Sequence, residues 1–255
     1  MNKLRFTFHF FSALVALSCL YSAANAQGPS SKYYEVRVYH PTPGKYDAIV
    51  DRFRQYTTKL FEKHGMENIG YWTPTDTSRK ELVYILAYPS KAARDTSWKK
   101  FGSDPAWREV VAKTEANGKL VSKVDSYFMT ESDLSPVIKP TKKSPVRAFE
   151  LRTYTAQPGK LPNLLTRFRD HTRTLFTKHG MENVAYWVTS EKEGEQAKLV
   201  YILAHPSEET GKANFEVFRK DPKWIKVKAD SEKDGPLTVK VESLYLKPTD
   251  YSPMQ

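Results

Sequence analysis

The chain has 255 residues, with 40 lysines and arginines against 29 aspartates and glutamates and a formal charge of +11; its length allows one or two domains. The basic residues are spread along the sequence apart from a small cluster at Lys139, Lys142 and Lys143. Nucleic-acid binding asks for a concentrated basic stripe with stacking aromatics, so no nucleic-acid partner is expected, and the single cysteine, Cys19, excludes a disulfide framework and a thiolate metal site.

The chain opens with Lys3 and Arg5, continues through an apolar run over residues 6–20, and reaches Ala24-Asn25-Ala26 before Gln27. That order is the three-part pattern of a secretory signal peptide. Residues 1–26 are therefore expected to be removed after Ala26, giving a secreted or periplasmic protein. Cleavage would take Cys19 with it and leave a net charge of about +9, since Lys3 and Arg5 go too. Lipid anchoring at Cys19 is not expected, because Ala16-Leu17-Ser18 is a poor context for it. No later stretch approaches about 18 uninterrupted apolar residues, so no membrane span is expected after cleavage.

An internal repeat dominates the remainder. Glu35-Val36-Arg37-Val38-Tyr39 returns as Glu150-Leu151-Arg152-Thr153-Tyr154, and Lys63-His64-Gly65-Met66-Glu67-Asn68 as Lys178-His179-Gly180-Met181-Glu182-Asn183. Residues 34–72 and 149–187 share 20 identities in 39 ungapped positions at an offset of 115. Later matches, such as Asp104-Pro105 with Asp221-Pro222, sit at 117. Two residues are thus inserted between Trp187 and Leu199, which marks a surface turn. The copies span residues 33–136 and 147–253, each with a Ser-Pro ending, and residues 137–145 with two prolines and three lysines read as an extended, solvated linker.

Within one copy, residues 33–40 alternate as a strand and Pro43-Gly44 turns the chain. From Tyr46 the apolar positions Ile49, Val50, Phe53, Tyr56, Leu60 and Phe61 fall at helical spacing. His64-Gly65 ends that helix, glycine taking the left-handed cap. Residues 69–73 and 82–88 form a hairpin. Trp98 and Phe101 lie on a short helix, Asp104-Pro105 starts another, and residues 121–129 form the last strand. The order β-α-β-β-α-β is a ferredoxin-like plait of class α+β, with its helices on one sheet face. The bare face must be covered, and the second copy is the obvious cover. The expected architecture is two such repeats packed sheet to sheet as an intramolecular, pseudo-dimeric α+β barrel, as a monomer or a larger homo-oligomer.

These residues resemble the NIPSNAP family, a branch of the dimeric α+β barrel superfamily. The features that carry the resemblance are, in both copies, Glu-x-Arg-x-Tyr on the first strand, Pro-Gly-Lys before the long helix, His-Gly after it, Tyr-Trp on the second strand, Leu-Val-Tyr-Ile-Leu-Ala on the third and Phe-x-x-Asp-Pro-x-Trp. The resemblance covers nearly the whole chain after residue 26 and points to an exported, tandem bacterial form. Known members are mitochondrial proteins linked to vesicle traffic and mitophagy signalling. The family offers no agreed catalytic residues to carry over.

Strand alternation separates Glu35, Arg37 and Tyr39 from Val36 and Val38, and Glu150, Arg152 and Tyr154 from Leu151. If the valines pack on the helices, the polar trios point into the barrel. They would then form a pocket for an anionic or amphipathic small molecule, walled by Tyr71, Trp72, Tyr186 and Trp187. Alternatively the Glu-Arg pairs fix the mutual register of the two sheets. One residue of each Tyr-Trp pair must face the interior. His64 and His179, repeated at equivalent positions, read as helix caps before they read as bases or ligands. No metal site and no cofactor are expected, and no phosphate loop, nucleophile elbow or zinc-protease motif is present.

Three functions follow from this. The first is non-catalytic binding of a small ligand or a protein partner. The second, by analogy of fold, is a cofactor-independent monooxygenase or haem-degrading enzyme using a cavity between sheet and helices. The third is a structural module whose basic surface meets acidic polymers. An open pocket near Arg37 or Arg152 with a histidine in reach would favour the enzyme, and a filled interior would disfavour it.

Overall fold

The computed structural model describes residues 32–189 and 195–255. The expected leader lies outside these residues, as do residues 190–194 of the expected surface turn between Trp187 and Leu199. The first repeat runs β1 (Tyr33–Pro41), α1 (Tyr46–Arg52), a π-helical turn (Phe53–Thr57), α2 (Thr58–Lys63), β2 (Glu67–Pro74), β3 (Leu82–Tyr88), α3 (Lys91–Ser103), α4 (Pro105–Thr114) and β4 (Val121–Glu131). The second repeats it: β5 (Ala148–Ala156), α5 (Leu161–Arg167), a π-helical turn (Phe168–Thr172), α6 (Arg173–Lys178), β6 (Glu182–Thr189), β7 (Lys198–His205), α7 (Glu208–Lys220), α8 (Pro222–Ser231) and β8 (Thr238–Pro248).

The π-helical turn places one more residue per hydrogen-bonded turn than an α-helix does. It keeps Ile49, Phe53 and Phe61 on the sheet side, where all three are buried. Gly65 and Gly180 follow α2 and α6 at φ of 74° and 73°, the left-handed conformation that a Cβ would strain. Asp104 and Asp221 cap α4 and α8 by accepting from the N–H groups of Ala106 and Lys223.

Among the described residues, eight strands close a barrel in the order β1-β3-β2-β8-β5-β7-β6-β4. The expectation of an intramolecular α+β barrel holds, and closure is more complete than face-to-face packing alone. Two antiparallel seams join the repeats, Trp72 to Pro74 against Pro248 to Leu246 and Met129 to Glu131 against Thr189 to Trp187. Each seam is only three residue pairs long, so the outer parts of β4 and β8 diverge from their neighbours across the repeat boundary.

Among the described residues three apolar clusters result. One contains Val36, Val38, Trp72, Ile85, Leu151, Trp187 and Ile202 and fills the barrel interior with side chains of both repeats. The other two lie between each sheet and its own helices. The tails cross over: Leu134, after β4, packs into the second repeat's helix-side core, and Tyr251, after β8, packs against the first's. Ser135 Oγ accepts from Tyr186 N–H at 3.1 Å and Ser252 Oγ from Tyr71 N–H at 2.9 Å, which gives the repeated Ser-Pro endings a role. Arg169–Asp133 and Arg54–Asp250 ion pairs lie over the two crossings. Between the copies, Ile138 packs against the interior cluster and Thr141 accepts a hydrogen bond from Gln255, so the linker is anchored at these points rather than solvated throughout. Ser252→Ala leaves the buried Tyr71 N–H without its acceptor and is expected to cost about 1–2 kcal/mol in chemical denaturation.

Candidate functional site

The two polar trios do not enter the barrel. Val36, Val38 and Leu151 belong to the interior cluster, so Glu35, Arg37 and Tyr39, like Glu150, Arg152 and Tyr154, lie on the helix side of the sheet. The physical reason is desolvation: the interior is closed by apolar side chains from both repeats, whereas the third helix brings hydrogen-bond donors to the other face. Trp72 and Trp187 are the inward members of the Tyr-Trp pairs. Tyr71 and Tyr186 are buried under the helices, stacked on Tyr84 at 5.4 Å and on Tyr201 at 5.1 Å. The expected polar pocket inside the barrel is therefore replaced by two separate clusters, one per repeat, under α3 and α7.

In the first repeat Glu35 is fully buried. It accepts from Arg37 Nη1 at 2.6 Å, from Arg94 Nε and Nη2 at 3.0 and 2.9 Å, from Trp98 Nε1 at 3.0 Å and from the Tyr88 hydroxyl at 3.2 Å. Burial pushes the Glu35 carboxyl up, but Arg94 and Arg37 outweigh it and hold it below the ordinary glutamate range. The Arg37 guanidinium lies 4.5 Å from the Trp98 ring centroid.

The second repeat builds the same position differently. Glu150 accepts from Arg152 and Ser243 and meets His205 Nε2 at 3.2 Å. His205 stands where Tyr88 does in the first repeat, and Gly211 where Arg94 does. A Cβ on Gly211 would lie 2.8 Å from the His205 ring, so the glycine is what admits the imidazole. His205 is buried, and its Nδ1 has no hydrogen-bond partner among the described residues.

His64 and His179 sit as expected at the helix ends, each with Nε2 2.7 Å from the helix-capping Asp104 or Asp221. Those aspartates are held well below their usual range, first by hydrogen bonds from Lys63 and Lys178, then by the histidines. Among the described residues no group of three or more His, Cys, Asp or Glu side chains could hold a metal ion, and no helix is long and apolar enough to cross a membrane.

A cleft of about 600 Å³ opens beside the first cluster, where the β4–β6 seam stops. Its walls are Tyr33, Tyr127 and Phe128, with Lys91 and Arg94 from α3 and Lys198 from the start of β7. Tyr33 and Phe128 stack at 5.9 Å with 13° between their planes, and the Arg94 guanidinium lies 4.9 Å from the Phe128 ring centroid. Arg94 thus joins the buried Glu35 network to the open cleft. At the matching place in the other repeat, Thr75 N–H and hydroxyl both donate to the Tyr245 carbonyl at 3.0 and 3.3 Å. A second groove, of about 640 Å³, lies between α5 and α8 and is lined by Arg167, His171, Lys226 and Asp230. It is more open to solvent, and Arg167 and Lys226 are already paired with Glu232 and Asp230.

Sequence reasoning missed Arg94, Tyr88, His205 and Lys198. Their signal is where the repeats differ at a constant offset of 117, Tyr88 against His205, Arg94 against Gly211 and Glu81 against Lys198. Identities alone conceal it.

Comparison with known proteins agrees with this architecture. The worm protein "Putative NipSnap protein K02D10.1" of Caenorhabditis elegans is 24% identical over 233 residues, which is 89% of this chain, and the chain spans 41% of that relative's length. "Protein NipSnap homolog" of Dictyostelium discoideum is 22% identical over 213 residues, 82% of this chain and 85% of that protein. A solved structure, "Putative monooxygenase" of Fusobacterium nucleatum, superposes with a TM-score of 0.57 at 10% identity, over 87% of this chain and 94% of that one; at that identity the likeness is one of fold. The NIPSNAP family model matches twice, over residues 34–136 and 149–253, and the chain belongs to the NIPSNAP family.

Proposed function

We propose that this chain is an exported, non-catalytic binding protein that holds a small molecule in the cleft beside Arg94. The observation that carries the reading is the cleft itself. Its volume falls in the usual range of ligand sites, and it combines aromatic walls with a few charged groups. The enzymatic alternative draws on the monooxygenase-like fold, which hosts many functions. It needs an open cleft and an accessible base together. Here the cleft lies against the first repeat, while the histidine near a Glu-Arg pair is the buried His205 of the second, and this division supports binding over chemistry. Export rests on the basic, apolar and small-residue order of residues 1–26.

Native mass spectrometry of protein purified from its own host is the test. The expected result is a chain beginning at Gln27 that carries a small molecule released on denaturation. Ser126 lines the cleft, and Ser126→Trp should abolish the adduct with an unchanged circular dichroism spectrum. An adduct that survives Ser126→Trp would place the ligand elsewhere, and a chain still beginning at Met1 would remove export.

A further inference from the structure

We infer that the cleft selects organic anions with a flat aromatic body, and that only one of the two repeats presents such a site. The inference rests on the cleft being the ligand site and adds the class of ligand.

Three positions carry it. Lys91, Arg94 and Lys198 line the cleft. Lys91 and Arg94 correspond to Glu208 and Gly211 of the second repeat, and Lys198 corresponds to Glu81 of the first. Every one of the three cations has been exchanged for an acid or for glycine, while Asp95 has the opposite counterpart, Lys212. The cleft therefore sets three cations against the carboxylates Asp95 and Glu195, and the matching positions set two carboxylates against one lysine.

How the charges are paired decides more than their number. Arg94 is engaged by Glu35 and Asp95, and Lys91 by Asp95. Lys198 differs: its ammonium lies 5.4 Å from the Tyr127 ring centroid and makes no ion pair among the described residues. At the matching place the charges satisfy one another, Lys212 with Glu208 of the second repeat and Glu81 with Arg79 of the first. A lysine beside an apolar wall gains most from a carboxylate whose remaining surface is also apolar, because each covers the other's desolvated flank. The parallel Tyr33–Phe128 pair, backed by the Arg94 guanidinium, offers a flat wall suited to an aromatic ring.

The test uses the full exported chain and three probes of one shape: 2-naphthoate, the neutral 2-naphthalenemethanol and the cationic 2-naphthylmethylammonium, titrated by calorimetry. One naphthoate per chain is expected, with an affinity at least about tenfold above that of the alcohol and falling with salt, and no detectable binding of the cation. Lys198→Glu should weaken naphthoate by about tenfold or more and leave the alcohol within about twofold, which also reports an intact fold. Glu81→Lys should leave naphthoate binding unchanged. Equal affinity for naphthoate and the alcohol, two equivalent naphthoate sites, or no binding of any probe each overturns the inference. The underlying site reading fails separately, when Ser126→Trp leaves the co-purified molecule in place.

Discussion

Replacing Glu35 by alanine is expected to destabilise the protein by about 3–5 kcal/mol, because it strips the buried Arg37 guanidinium of its carboxylate partner and leaves Arg94 with the exposed Asp95 alone. Arg37 and Arg94 both hydrogen-bond this carboxylate, and the Trp98 indole N–H and Tyr88 hydroxyl donate to it as well. Neither arginine can shed its charge. Glu150→Ala should cost less. Its partners are one arginine, a serine hydroxyl and His205, so its loss strands one guanidinium where the loss of Glu35 disturbs two. The sign with pH follows from the carboxyl being held below the ordinary range by Arg94 and Arg37 against the opposing effect of burial. A depressed carboxyl stabilises fully above its unfolded value of about 4.3 and loses that stabilisation as pH falls through its folded value. The gap between wild type and Glu35→Ala should therefore be flat between about pH 7 and pH 5 and narrow only at more acid pH. Urea denaturation across that range checks it; a gap that grows on acidification would mean that the carboxylate is not what the arginines stabilise.

The repeat, the strand and helix order and the helix caps were legible because each rests on local chemistry. Gly65 needs its positive φ, Asp104-Pro105 starts a helix, and the Ile49–Phe53–Phe61 spacing survives a π-helical turn. The direction of the first strand was not legible. Its alternation sorts Tyr34, Val36 and Val38 from Glu35, Arg37 and Tyr39, but both faces of this sheet are covered, one by the second repeat and one by helices. Period two then separates the sets without saying which goes inward. The deciding partners, Arg94 and Trp98, lie one helical turn apart on α3, about sixty residues away. The crossing tails were hidden for a similar reason: a repeated Ser-Pro ending shows that the two ends are alike, not that each is held by the other copy.

Position 70 shows what the interior imposes on the two repeats. A methyl group on Gly70 would stand 2.1 Å from a ring carbon of Trp72, so the indole occupies the space a side chain would need. The second repeat has Ala185 there, and the Trp187 ring centroid lies 5.4 Å from that of Tyr34, with only β4 between their strands. Trp72→Ala is expected to cost about 3–5 kcal/mol, as a fully buried aromatic is removed from a packed interior. Gly70→Ala should cost about 1–3 kcal/mol by forcing the indole off its site. In the Trp72→Ala background the same glycine substitution should be neutral or stabilising by about 0.5 kcal/mol, since the clash is gone and the unfolded chain is stiffer. The double-mutant cycle should then show a coupling of about 1 kcal/mol or more. Trp72 also pairs with Pro248 in one of the two short seams, so its loss should raise amide exchange at Lys247 and Thr73 before it does so at the β4–β6 seam. Simple additivity of the two substitutions, with uniform exchange at both seams, would mean that the indole moves freely and that the seam does not depend on it.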